Sequence, residues 1–364
     1  MSSPLAGRSL ALGAGAALAI LACLPGLALA QRDAAPTQFF RLQSAVKLPG
    51  ADPDWDYLAY DRQHARLFIA RRDAGLWVFD TRRQQLIRKI AQTQGAGATL
   101  LLPERNRGFA INEDGSITAF DLAKLAPLKR VHIAADADAA TYDPVSGRIA
   151  VVSADSRKMT FVDPRSLAVV GTIALASERA DGSAADGRGT ILLNERDRNA
   201  VLKIDARTMK VEAEWPITGC TQPTGIAYDQ ASRRAFIGCR GDRPVLAIVD
   251  ADSGATIMTL PLGRGNDGVV FDPSHKRIFT TNGVDANLAI FKQTDPDHYH
   301  MEQAITTRPQ ARTIAYDPDR QRVFSVAAEG VLDPAKRANS GPSAFYPNGH
   351  FADTFVVLTY AAAK

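Results

Sequence analysis

The chain has 364 residues, 46% of them hydrophobic, and a formal charge of +4 from 43 basic and 39 acidic side chains. That surplus is too small for the concentrated basic stripe of a nucleic-acid binder. The length is large for one ordinary hydrophobic core, and beyond the N-terminal run no segment is apolar enough to suggest a membrane span.

Residues 1–30 read as an export signal rather than as structure. Arg8 is their only charge, an apolar run follows from Leu10 to Leu24, and Ala28-Leu29-Ala30 supplies the small residues for cleavage after Ala30. Leu21-Ala22-Cys23 offers an alternative, a lipid anchor on Cys23. The chain stays apolar after Cys23, which favours cleavage and a periplasmic product without stable membrane insertion. The 334 residues left carry a charge near +3 and two cysteines, Cys220 and Cys239. An even count in an oxidising compartment points to a disulfide.

Residues 31–364 are expected to form one all-β domain, a seven-bladed β-propeller of four-stranded blades. An aromatic–aspartate pair recurs as Tyr60-Asp61, Tyr142-Asp143, Tyr228-Asp229, Phe271-Asp272 and Tyr316-Asp317. Two worn copies, at Leu102-Pro103 and Ala185-Asp186, fill the gaps, with steps of 42, 40, 43, 43, 43 and 45 residues. Seven copies at that period are the mark of radially arranged small sheets. The fifth copy shows the unit: strands over Thr224–Tyr228, Ala235–Gly238, Val245–Val249 and Thr256–Leu260, joined by Asp/Gly/Ser/Pro turns. The aspartates after the third strand (Asp80, Asp121, Asp163, Asp205, Asp250) are expected to cap turns. The last copy lacks a fourth strand, and Phe39–Leu48 is spare, so the N-terminal strand is expected to close the seventh blade and hide its edge.

A site is expected where loops collect around the central channel. The loops entering each first strand and those joining second to third strands share one end. They bring Trp55, Asp56, Arg71, Asn194, Arg196, Arg240, Arg264, Asp267, Asn282 and Arg312 to it. Cys220 and Cys239 lie in two such loops of one blade, which makes their bridge feasible. Residues 328–353 form a loop far longer than a hairpin turn, including Glu329, Tyr346 and His350, and are a candidate lid. His298 and His300 share one side of an outer strand without a third ligand, and fit a surface pair better than a metal site. No haem-attachment motif, phosphate-binding glycine loop or nucleophile elbow is present.

Cys220-Thr-Gln-Pro-Thr-Gly-Ile-Ala-Tyr-Asp229, Arg233-Arg-Ala-Phe-Ile-Gly-Cys239, Leu262-Gly-Arg-Gly-Asn-Asp267, Phe279-Thr-Thr-Asn-Gly283 and Arg308-Pro-Gln-Ala-Arg-Thr-Ile-Ala-Tyr-Asp317 resemble the YncE-like, YVTN-repeat family of bacterial seven-bladed propellers. The likeness runs through the mature chain and strengthens from blade five onward. It implies a secreted or periplasmic propeller and little about activity. The second copy, Leu101-Leu-Pro-Glu-Arg-Asn-Arg-Gly108, has lost the aromatic–aspartate mark.

The residues therefore point to a monomeric binding or scaffold protein, without cofactor, that holds a polar or anionic ligand at the channel mouth. Arginine forks suit carboxylate or phosphate, and Trp55 offers a stacking face. Each arginine has a rival use in pairing with Asp56, Asp155, Glu195 or Asp267. Two other classes stay open: a lactonase, lyase or metal-assisted hydrolase, which would need Asp56, Glu195 and Asp267 to cluster, and a docking platform for an envelope protein.

Overall fold

The computed structural model describes residues 39–51, 54–335 and 347–363. The export signal, Cys23 and Tyr346 lie outside them. The described residues form seven four-stranded antiparallel sheets and one two-stranded hairpin. Blade five runs Pro223–Asp229, Arg234–Cys239, Val245–Asp250 and Thr256–Pro261, within a residue or two of the sequence expectation. In blade seven, Phe40–Lys47 pairs with the C-terminal strand Val356–Ala362, followed inward by Arg322–Ala327 and Ala315–Asp317. The N-terminal strand thus closes the ring.

Burial follows from that geometry. Second and third strands are enclosed by neighbouring blades on both faces, so they read as continuous apolar runs such as Leu76–Phe79 and Phe109–Ile111 rather than alternating ones. Outer strands alternate instead, as in Lys210–Pro216 and Thr256–Pro261.

The repeated pair has two separate jobs. In blades one, six and seven its aromatic ring packs on a phenylalanine in the second strand of the preceding blade: Tyr60 on Phe324 at 5.4 Å, Phe271 on Phe236 at 4.9 Å and Tyr316 on Phe279 at 5.0 Å. Such pairs add to the area they bury. Its carboxylate accepts from turn amides, Gln63 and His64 at Asp61, Ala231 at Asp229, Ser274 and His275 at Asp272. The aspartates after the third strands do the same, for example Asp80 to Arg82 and Arg83, and Asp205 to Arg207 and Thr208.

Strand register corrects one placement. Leu102 pairs with Arg107 as Asp61 does with Arg66 and Asp229 with Arg234. The worn mark of blade two is therefore Leu101-Leu102, one residue earlier than Leu102-Pro103. Pro103 opens a short 3-10 turn instead.

Candidate functional site

Counting back from the repeat position shows which residues meet at the channel. Four residues before it, the blades carry in order Tyr57, Ala98, Ala139, Gly182, Gly225, Gly268 and Thr313. All but Thr313 line a central cavity of about 240 Å³. The small residues are required by packing: a Cβ on Gly182 would stand 2.4 Å from the carbonyl oxygen of Thr224, and one on Gly268 2.6 Å from Ile314. Tyr57 is the exception. Its ring reaches from blade one to blade four, where its hydroxyl donates to Asp181 at 2.8 Å. It forms the floor of the mouth.

One residue further back, at the rim side, the blades carry Asp56, Gly97, Asp138, Asp181, Thr224, Asp267 and Arg312. A second tier comes from the end of each second strand. Counted six residues on from the start of each second strand, it carries Arg72, Glu113, Ala154, Arg196, Arg240, Gly283 and Ala328 in blade order. Arg240 meets Asp267 at 2.8 Å, Arg312 meets the other oxygen of Asp267 at 3.1 Å, and Arg196 stands 3.6 Å from Asp181. Arg72 bridges Asp56 and Glu113.

Crowding like charges in a shielded bowl shifts their protonation. Burial pushes the Asp56 carboxyl up to about 6, against the opposing pull of Arg72 and Arg312. Asp138 goes up to about 8, because burial is reinforced by the charges of Asp56 and Asp181. Burial and Asp267 raise Asp181, and burial with Asp181 raises the Tyr57 phenol well above its ordinary value. Arg196 is lowered, by burial first and then by the neighbouring Arg240 guanidinium.

The structure gathers Asp56, Arg196, Arg240, Asp267 and Arg312 at this mouth and places the other sequence candidates elsewhere. Arg71 is fully buried between the rings of Trp77 and Phe355, at 4.2 and 3.8 Å, with its Nε donating to the carbonyl of Asp54. The strand ends at Ala70 and the chain turns at Arg72, whose φ is 47°, so Arg72 takes the position expected of Arg71. Trp55 is enclosed by Phe355, His350 and Arg312 and offers no stacking face. Asn194 and Asn282 are buried latches: Asn194 donates to the Thr224 carbonyl at 2.9 Å, and Asn282 to Asn287 at 2.7 Å. Arg264 is exposed on the periphery and paired with Asp285 at 2.7 Å.

Glu195 is fully buried beside Arg198, at 3.4 Å, and joins neither Asp56 nor Asp267. Among the described residues no three His, Cys, Asp or Glu side chains are grouped so as to hold a metal ion. His298 and His300 are exposed on the outer strand of blade six, His298 beside Asp295. Cys220 and Cys239 form a disulfide with an S–S distance of 2.01 Å, joining the two rim loops of blade five. From the long loop, His350 meets Gln310 at 2.7 Å and packs on Trp55.

Sequence reasoning missed Tyr57, Arg72, Asp138 and Asp181. The signal was available: the position five before each repeat mark is acidic in four of seven blades, at Asp56, Asp138, Asp181 and Asp267.

No protein-family model and no curated protein sequence matches the chain. Solved structures do match in shape. A chain of the mitotic checkpoint complex superposes with a TM-score of 0.68 at 15% identity, covering 85% of this chain and 95% of that one. A chain of Kuenenia stuttgartiensis hydrazine synthase gives 0.64 at 13% identity, covering 76% and 94%. At such identities the likeness concerns fold alone: this is a seven-bladed β-propeller, a fold able to serve as a binding or scaffold platform.

Proposed function

We propose that the chain is a periplasmic binding protein that holds a small anionic or polar ligand at the Asp/Arg mouth. The observation that carries this reading is the crowding of Arg196 against Arg240. They take the same place in adjacent blades, burial and then the Arg240 guanidinium lower the basicity of Arg196, and the two share acids already engaged by Tyr57 and Arg312. Two partly shielded guanidiniums with an incomplete set of counter-charges make a seat for a carboxylate or phosphate. Beside them lies a rim cavity of about 420 Å³ that includes Arg179, Arg196, Gln222 and Asp242.

The compartment rests on the N-terminal signal pattern and agrees with the Cys220–Cys239 disulfide and with the absence, among described residues, of a helix long and apolar enough to cross a membrane. The resemblance to YncE-like exported propellers supports the same assignment.

Native mass spectrometry of protein purified from its own host tests the function. A small anion should co-purify with the wild type and be missing from the Arg196→Gln/Arg240→Gln variant. The same anion retained by that variant would remove the mouth as the site.

A further inference from the structure

The mouth is electrically lopsided. In the sector of blades four to seven, Arg196, Arg240 and Arg312 face two acids, Asp181 and Asp267. Asp267 spends both oxygens on Arg240 and Arg312, and Asp181 accepts the Tyr57 hydroxyl. In the sector of blades one to three the balance reverses. Asp56, Glu113 and Asp138 have one cation from their own blades, Arg72, which is engaged by the first two, and Arg312 of blade seven pulls on Asp56 alone. No described side chain or amide donates a hydrogen bond to the Asp138 carboxyl.

The backbone leaves room beside that carboxyl. Gly97 and Ala154 take the two tiers next to it, where other blades carry Asp or Arg. A Cβ on Gly97 would stand 3.4 Å from the Asp138 carbonyl oxygen, 3.6 Å from Arg72 Nη1 and 3.9 Å from Asp138 Oδ1, ordinary contacts that leave room for a group of methyl or ammonium size.

Resting on the binding reading above, we propose that the ligand is a small zwitterion, its anionic end on Arg196 and Arg240 and its ammonium group against Asp138, lying across Tyr57. An anion alone would satisfy one sector and leave the acid sector without its cation. A cation alone would leave the two guanidiniums crowded. A molecule carrying both charges completes the two sectors together, and opposite fields at its ends fix its orientation.

The arrangement carries a proton consequence. Asp138 faces Asp56, Asp181 and Asp267 with Arg72 as its nearby cation, and it holds its proton up to about pH 8. An incoming ammonium favours the ionised carboxylate, so binding near pH 7 should expel a proton to solvent.

Calorimetric titration of the intact protein in HEPES and in Tris tests this. The probes are the ω-amino acids from glycine to 6-aminohexanoate, the matching carboxylates and amines, and inorganic phosphate. At least one amino acid should bind tenfold or more tighter than both of its single-charge analogues, and the buffer difference should report proton release. Asp138→Asn should erase that preference and the proton release while leaving phosphate binding intact. Carboxylates binding as well as amino acids, with phosphate still bound, would overturn the zwitterion and keep the anion seat. Neither phosphate nor any member of the series binding would overturn both.

Discussion

The two ends of the channel are built on the same seven inner strands, yet they read differently. At one end the repeat mark does the same work wherever it is kept, ring on ring in blades one, six and seven and carboxylate on turn amides, as with Tyr60 on Phe324 and Asp61 on Gln63. At the other, one register position changes from Asp56 to Gly97, Asp138, Asp181, Thr224, Asp267 and Arg312. Scaffold needs recur because every blade faces the same packing problem. A ligand is asymmetric, so a site for one must break the repetition. In this ring, sameness marks stability and difference marks the candidate site.

The sharpest break of the scaffold side is removal of residues 39–48. That deletion strips the outer strand from blade seven, exposes the edge of Val356–Ala362 and removes Phe40 from the core. Cooperative thermal unfolding should disappear and the protein should associate, as read by calorimetry and size-exclusion chromatography.

Asp272→Ala is the next largest effect. It leaves the Tyr316 hydroxyl, the His275 ring and two turn amides without their acceptor. A loss of about 3 kcal/mol in denaturant unfolding is expected from stranded buried donors. Burial opposes ionisation of Asp272, but hydrogen bonds from Tyr316, His275 and the turn prevail and hold its carboxyl below the ordinary value. Its contribution is therefore present above the unfolded carboxylate value and fades as pH falls through the folded one.

The mouth should show the opposite sign. Asp138 titrates up to about 8 in the fold, against 3.8 as its ordinary value. The folded state holds the extra proton between those values, so this group lowers stability as pH rises through that window. Asp138→Asn should unfold no more readily than wild type at pH 6 and flatten the decline in melting temperature toward pH 8. A steeper decline in the variant would refute the buried-acid account.

The sequence made the scaffold legible because the repeat is a packing and turn signal, and such signals are local. Ring closure was legible from a missing strand at one end and a spare one at the other. The mouth was legible only to within a residue. Arg71 and Arg72 are adjacent, and a loop pattern does not tell which of two neighbours enters the channel and which is clamped between Trp77 and Phe355. Trp55 looked like a ligand face because its burial depends on His350 and Phe355, distant in the chain. Asp181 escaped notice because it lies within the strand Ala180–Ala185, past the loop that holds Glu178 and Arg179.

The most direct test of the site is a phosphate titration of the wild type and of Arg196→Gln/Arg240→Gln, with melting temperature followed in parallel. Removing two charge-assisted hydrogen bonds at once corresponds to about 3 kcal/mol or more, roughly a hundredfold in affinity. The account predicts that weakening in a variant that still unfolds in one cooperative transition, its melting temperature lowered by loss of the Arg240–Asp267 pair. Equal affinity in the two proteins would show that the anion sits elsewhere and that these arginines serve the fold.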